Sequence, residues 1–459
     1  QTNGGAVFVF FGRTTGPALA PDQSFFSDRG SFGETVAPAG DVNGDGYHDM
    51  LVGAPRSGDG RAYVYLGSAG GLQASPVWQY LHNDGNAAAS YFGSSLATAG
   101  DINADGYDDI IIGAWNNNGG QGAAFVWLGN SGGVNAGAQW STGGSAGWLV
   151  GAAVAGAGDV NGDGNADFLV GRPGASGTTP QGAAWYGDVV VFHGTAAGTG
   201  VATTYLQGAQ AGASHGAATA GVGDVNGDGF ADVAVGSPAW DWPGAVDAGR
   251  ALVFAGSAGG VGTTAIWEEW GIAAGARFGA TVAPAGDVNG DGLADAAAGA
   301  PGNVTSTAVA NRYAVVVEGS RTGIGAMLIK WSSTRNDATG FAWAVATAGD
   351  VNGDGFSDLI VGSPGFSNGQ SAEGRAEIFL GQGAGPYALY AEQYTYAEES
   401  TYFGWQTTTV GDVNGDGYSD VAVSGPGIDF NTTDDGLLQL RTGSPTGLQP
   451  AGQDRKSVV

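Results

Sequence analysis

This chain of 459 residues contains no cysteine, two methionines, two lysines and four histidines. The missing cysteines exclude a disulfide scaffold, thiolate metal sites and a cysteine nucleophile. With so little lysine and its arginines scattered singly, the chain lacks the basic patch that a nucleic-acid partner requires. No stretch approaches the ~18 apolar residues of a membrane-crossing helix, so direct membrane insertion is not expected. The chain opens on Gln1 without a signal-peptide core, and it reads as a processed or excised segment. Charged residues make up only 13% against 42% hydrophobic ones, the balance of a folded chain and not of a disordered acidic one.

What the chain has in excess is glycine, 89 residues, without a collagen-like triplet. Such a content fits many short strands joined by tight turns. It also has seven copies of one nonapeptide, Asp-x-Asn-x-Asp-Gly-x-x-Asp, beginning at Asp41, Asp101, Asp159, Asp224, Asp287, Asp350 and Asp412. The steps between them are 60, 58, 65, 63, 63 and 62 residues, regular enough to imply one repeat array. The net charge of −28 then becomes local. Three Asp in each of seven copies account for 21 of the 43 acidic residues, and the remaining 22 face 15 bases, an ordinary surface.

Four short apolar runs recur in order in each repeat. In the first they are Phe32 to Ala37, then Met50 to Pro55 after the nonapeptide, then Arg61 to Gly67, then a run around Val77 to Tyr80. We name them strands A, B, C and D. Strand B is continuously apolar, as in Ile110-Ile111-Ile112 and Phe168-Leu169-Val170, which implies burial on both faces. A four-stranded antiparallel sheet of ~60 residues with two apolar faces is covered only by copies of itself, and seven arranged radially close into a β-propeller. The fold class is therefore all-β, a single propeller domain. Its repeats are 31–90, 91–148, 149–213, 214–276, 277–339, 340–401 and 402–459, preceded by a C/D-like hairpin in 1–30 that closes or caps the ring. Leu437-Leu438-Gln439-Leu440 also matches strand C, and the pattern leaves open which terminal hairpin completes the last blade.

The nonapeptide has the composition of a calcium loop. Side-chain oxygens stand at positions 1, 3, 5 and 9, Gly at position 6 permits a sharp turn, and position 7 offers its carbonyl. The candidate ligands are Asp41, Asn43, Asp45, Tyr47 and Asp49; Asp101, Asn103, Asp105, Tyr107 and Asp109; Asp159, Asn161, Asp163, Asn165 and Asp167. They continue with Asp224, Asn226, Asp228, Phe230 and Asp232; Asp287, Asn289, Asp291, Leu293 and Asp295; Asp350, Asn352, Asp354, Phe356 and Asp358; and Asp412, Asn414, Asp416, Tyr418 and Asp420. Hard oxygen donors of this kind suit Ca²⁺ better than Zn²⁺ or copper, and Mg²⁺ prefers to keep its waters. About seven Ca²⁺, one per repeat, are expected. Their +14 would take the net charge from −28 to −14. EF-hands and dockerins share the opening of the motif but need a carboxylate at position 12, where this chain has Val52, Ile112, Val170, Val235, Ala298, Val361 and Val423. One copy departs elsewhere, with Ala104 at position 4 where the others have Gly.

Together these residues resemble the FG-GAP repeats of the integrin α-subunit propeller. Phe32-Gly33 with Gly53-Ala54-Pro55, and Phe278-Gly279 with Gly299-Ala300-Pro301, bracket the first and fifth nonapeptides. Val150-Gly151, His215-Gly216 and Phe341-Ala342 are degenerate first signatures, and Gly113-Ala114-Trp115, Gly171-Arg172-Pro173 and Gly236-Ser237-Pro238 are variant second ones. The resemblance implies seven blades with calcium in the A–B loops of one face. It also implies an extracellular or cell-surface setting, most like the secreted or surface propellers of bacteria. With only 58 residues between the second and third motifs there is no room for an inserted domain, and integrin signalling does not carry over.

In a blade of this kind the B–C and D–A loops share the face opposite the calcium loops, and a protein or glycan ligand is expected there. Trp115, Trp185, Tyr186, Trp240, Asp241 and Trp242 lie in the expected B–C loops and are the candidate ligand-binding residues, their alternative role being packing between adjacent loops. Trp78, Trp140, Trp267 and Trp331 fall in strand D and are expected to pack between blades. Catalytic signals are weak. Gly143-x-Ser145-x-Gly147 and Gly212-x-Ser214-x-Gly216 fit a nucleophile elbow by chance in so glycine-rich a chain, and His48, His82, His193 and His215 are scattered over different repeats. The expectation is a non-enzymatic, calcium-stabilised adhesion or protein-binding module, with a lectin-like propeller as the alternative and a polysaccharide-degrading enzyme as a more distant one.

Overall fold

The computed structural model describes residues 5–9, 23–27, 31–68, 72–85, 89–178, 182, 184–302, 312–321, 329–332, 338–367, 371–383, 392–395, 402–411, 419–425 and 437–441. In the first repeat strand A is Thr35–Gly40, B is Asp49–Ala54, C is Arg61–Tyr65 and D is Trp78–Leu81, paired antiparallel in that order. Five further four-stranded sheets begin at Ser95, Val154, Ala218, Thr281 and Ala344, and a seventh begins at Thr407 with three described strands. Strand A of each sheet lies against strand A of the next, which places the A strands innermost around a common axis. The architecture is the seven-bladed β-propeller that the repeat pattern implies.

The reason is burial. Strand B is buried along its whole length in the second, fourth, fifth and sixth sheets, and Ile110, Ile111 and Ile112 are fully covered. Alternate residues of that run face opposite neighbours: Ile110 and Ile112 pack with Leu51, Val64 and Trp78 of the first sheet, while Ile111 packs with Val154, Phe168 and Val170 of the third. Each such side chain contributes about 1.5–3 kcal/mol on burial. Trp78, Trp140 and Trp267 do pack between blades, Trp78 at 5.2 Å edge-on to Trp127 and Trp140 at 5.2 Å from Phe168. The side chain of Trp331 lies outside the described residues.

The Phe-Gly signature belongs to the turn before strand A and not to the strand, because Ser31 and Gly33 have φ of 64° and 81°. There it joins blades. The N–H of Gly93 donates to Gly113 O within its own blade at 3.0 Å, while its carbonyl covers Gly53 of the preceding blade. A Cβ on Gly53 would stand 2.3 Å from that carbonyl. The two glycines of the signature meet in this way across five blade boundaries, and between the fifth and sixth blades Ala342 takes the place of the second, at a positive φ of 60°.

The described part of the N-terminal segment pairs with itself, Gly5–Val9 against Gln23–Ser27. The strand beside Asp420–Gly425 is Leu437–Arg441, so strand C of the seventh sheet comes from the C-terminal hairpin. In the third blade strand B runs on as Asp167–Thr178 and strand C starts at Ala184, so Trp185 and Tyr186 are strand residues and not loop residues. The extended hairpin pairs Gly177 with Trp185 and Ser176 with Tyr186 past a bulge, which carries the ladder into what the Gly-rich sequence marks as a loop.

Candidate metal centres and the opposite loop face

The six described nonapeptides fold into the same turn between strands A and B. In the first, Asp41 accepts the N–H groups of Asp45 at 3.0 Å and Gly46 at 2.7 Å. Asn43 accepts the same Asp45 N–H at 3.1 Å and donates its amide to Asp45 at 2.9 Å. The oxygens of positions 1 and 3 therefore stand side by side over one backbone nitrogen, and Asp45 in turn accepts Tyr47 N–H at 2.9 Å. The same bonds recur in the loops that begin at Asp101, Asp159, Asp224, Asp287 and Asp350. Asp412, Asn414, Asp416 and Tyr418 lie outside the described residues, as does the side chain of Asp420.

Position 9 is the first residue of strand B, and it ties the loop to the sheet. Asp49 accepts Val42 N–H at 2.8 Å with one oxygen and Gly67 N–H, beyond strand C, at 2.7 Å with the other. Asp109, Asp167, Asp232, Asp295 and Asp358 make the same pair of bonds and are fully buried. Burial pushes Asp49 and Asp232 up to about 6 and Asp109, Asp167, Asp295 and Asp358 up to about 7, with the carboxylates at positions 5 and 1 adding to the rise and the backbone donors opposing it.

Among the described residues no three acidic or histidine groups are gathered as a metal cluster. The loop oxygens are instead turned to the loop's own N–H groups. The donor set still fits a hard cation: two carboxylates and an amide oxygen are folded into one turn, and a third carboxylate close enough to feel their charge stands at its base. Each carboxylate oxygen that accepts one N–H keeps a second lone pair.

The loops are also linked to one another, which the repeat pattern did not reveal. From the second loop onward, position 8 donates its N–H to the position-1 carbonyl of the preceding loop, as in Asp108 to Asp41 at 3.0 Å and Ser357 to Asp287 at 2.8 Å. Position 7 of the later loop covers position 4 of the earlier one. A Cβ on Gly44 would meet Tyr107 at 2.9 Å, one on Gly162 would meet Phe230 at 2.8 Å, and one on Gly290 would meet Phe356 at 2.4 Å. The departure at Ala104 now has a physical reason. Position 7 of the following loop is Asn165, the smallest side chain at that position, and Ala104 keeps the positive φ of its glycine counterparts at 55°. The glycine before each nonapeptide carries a signal that reading the motif alone misses: Gly40, Gly100, Gly158, Gly223, Gly286 and Gly349 all have φ of 71–81° next to a register shift in the A–B ladder.

On the opposite face the expected ligand-binding aromatics each find their own partner. Trp115 stacks on Tyr91 at 4.8 Å, Trp185 lies 6.4 Å from Trp148, and the Arg250 guanidinium sits 4.3 Å over Trp240. Tyr186 is half-buried in its strand, and its N–H donates to Gly208 O. Asp241 accepts Asp247 N–H at 2.8 Å. Trp242 is 46% exposed and tilted against Trp270 at 4.9 Å. Tyr91, Trp148 and Trp270, at blade entries and strand ends, escaped the sequence reading because they adjoin the B–C loops only in space. His215 is buried, its ring nitrogens meeting Ser237 Oγ at 2.7 Å and Leu206 O at 3.1 Å. That pair has no route to a substrate and acts in packing.

FG-GAP repeats match this chain over residues 32–65, 92–127, 150–186, 216–254, 278–317, 341–376 and 403–439, together more than half of it. It is similar to integrin alpha-3 of Cricetulus griseus, 39% identical over 117 residues that cover 24% of this chain and 11% of that protein. Integrin alpha-IIb of Mus musculus is 36% identical over 162 residues, 32% of this chain and 15% of the relative, and its Homo sapiens counterpart is 44% identical over 92 residues, 19% and 9%. The matched stretches thus span less than a sixth of each of these relatives. With seven matched repeats and seven sheets in one array, the chain belongs to the FG-GAP repeat family of β-propellers.

Proposed function

We propose that this chain is a calcium-stabilised, non-enzymatic adhesion or protein-binding module that works outside the cell, and that its partner docks on the face opposite the nonapeptide loops. The observation that carries this reading is the array of seven FG-GAP repeats, stretches of which match integrin α chains, with the Asp and Asn oxygens kept in every copy. Positions 1, 3, 5 and 9 would hold the cation with the carbonyl of position 7. A bound Ca²⁺ supplies the positive charge that three neighbouring carboxylates lack. Chelator is expected to lower the melting temperature, and Ca²⁺ to restore it better than Mg²⁺. An unchanged melting curve, with no metal in elemental analysis of the purified protein, overturns the calcium reading.

A carbohydrate-binding propeller is the second reading, favoured by the exposed Trp242 beside Trp270. A glycan array separates the two. Binding of a defined sugar that is lost in Trp242→Ala supports the lectin, and an array without signal supports a protein partner. Cleavage of a polysaccharide by the pure protein would sink both.

A further inference from the structure

In the first, fourth and sixth blades the last residue of strand B faces the first residue of strand C, and this position, like its counterpart within the extended hairpin of the third blade, carries charge. In the fourth blade the strand C residue is Arg250, 3.6 Å from Glu268. In the sixth it is Arg375, 2.9 Å from Glu377. In the third the charges are exchanged, with Arg172 on strand B bound by two hydrogen bonds to Asp188 on strand C. Each of these blades supplies its own counter-charge.

The first blade does not. Its equivalent residue is Arg61, opposite Ala54, and among the described residues no carboxylate lies within ion-pair distance of it. The two positions that neutralise the arginine elsewhere are neutral here. The counterpart of Glu377 is Tyr63, and the counterpart of Glu268, directly across from Tyr63 on strand D, is Gln79. Arg61 Nε is buried without a hydrogen-bond partner, as is Arg250 Nε, so what sets Arg61 apart is the missing carboxylate. A guanidinium half-withdrawn from water without an acceptor is a costly arrangement unless a ligand supplies one.

Arg61 also lines a cavity of about 290 Å³, formed by the B–C loop at Ser57 and Asp59 and by the end of strand D at Leu81, His82 and Asn83. His82 is 7% exposed, held by ring stacking on Phe92 at 5.1 Å and by Nε2 meeting Asn117 Oδ1 at 2.7 Å. An amide oxygen only accepts, so Nε2 donates, and Nδ1 is enclosed away from the cavity without a hydrogen-bond partner. The cavity lining therefore holds one cationic donor, Arg61, and one carboxylate, Asp59, which stands outside ion-pair distance of it. A peptide-linked acidic residue answers both, with its carboxylate for Arg61 and its N–H for Asp59. A sugar acid fits less well, since the lining has no open aromatic face for a ring and its exposed apolar residue is Leu81.

We propose that the cavity between the B–C loop and strand D of the first blade is a receptor for an acidic side chain of a protein partner, with Arg61 as the residue that binds the carboxylate. This rests on the partner docking on that face, and it names the chemistry the partner presents. The test uses the full chain in saturating Ca²⁺ and follows the Arg61 Nε–H and His82 ring signals by NMR. The probes are acetyl-Gly-Glu-Gly-amide, its Gln analogue and trigalacturonate.

The Glu peptide is expected to shift both signals and to bind about tenfold more tightly than the Gln peptide, the scale of one charge-assisted pair. Gln79→Glu installs the carboxylate that the fourth blade already has, and it is expected to abolish that preference in a folded protein. Arg61→Gln is expected to do the same. Equal binding of the Glu and Gln peptides, or a preference that survives Gln79→Glu, overturns the proposal. Trigalacturonate binding more tightly than the Glu peptide overturns it in favour of a sugar acid. A folded protein that ignores all three probes sinks the receptor, while docking elsewhere on the face stands or falls on the partner and glycan tests above.

Discussion

At the scale of single residues, His215 shows how a degenerate signature is accommodated. It stands where the repeat calls for Phe, and its imidazole is buried against Ser237 and Leu206. Burial, with Arg250 nearby, pushes it down to about 4 from an ordinary 6.5. Between those values the unfolded chain holds a proton that the folded chain refuses, so stability falls as pH drops from 6.5 toward 4, by about 3 kcal/mol in all. His215→Phe restores the family residue and is expected to remove that part of the acid dependence. Urea melts of both proteins between pH 7 and 4 check it, and parallel pH profiles would contradict it.

Elements meet through the nonapeptide loops, where position 7 of one covers position 4 of the loop before it. The chain holds a natural control in Ala104 facing Asn165, while Gly290 faces Phe356. Gly290→Ala is expected to destabilise by about 1–3 kcal/mol, through the clash with the ring and the positive φ of 74°. The loss is expected to shrink in a Phe356→Asn background, which recreates the Ala–Asn pair. A double-mutant cycle measures the coupling, and additive effects would show that the two loops do not touch energetically.

For the molecule as a whole, each sheet is buried only by its neighbours, and stability is close to a sum of blade and interface contributions. A cation site in one loop should then act locally. Asp159 accepts N–H groups from Gly162, Asp163 and Gly164, and Asp159→Ala removes both a candidate ligand and these bonds. It is expected to lower the melting temperature of the calcium-loaded protein by less than full chelation does, because six loops remain. Differential scanning calorimetry with and without chelator decides this, and a single substitution as damaging as chelation would show that the ring melts as one unit.

What the sequence by itself determined is whatever is periodic or local: the seven repeats, the doubly buried strand B, the tryptophans of strand D, and the Asp and Asn turn with its oxygens turned inward. These follow from strand alternation, burial and short-range hydrogen bonds, all of which act within about ten residues. Only the tertiary structure decided what joins residues some sixty positions apart. It showed why position 4 is Gly unless its neighbour is Asn165, and that Trp115 lies on Tyr91. It placed the C-terminal strand beside Asp420–Gly425, and it left Arg61 without the carboxylate its counterparts possess. The physical reason is that a blade's faces and loops are completed by the next blade, so their requirements are written in the neighbour's residues.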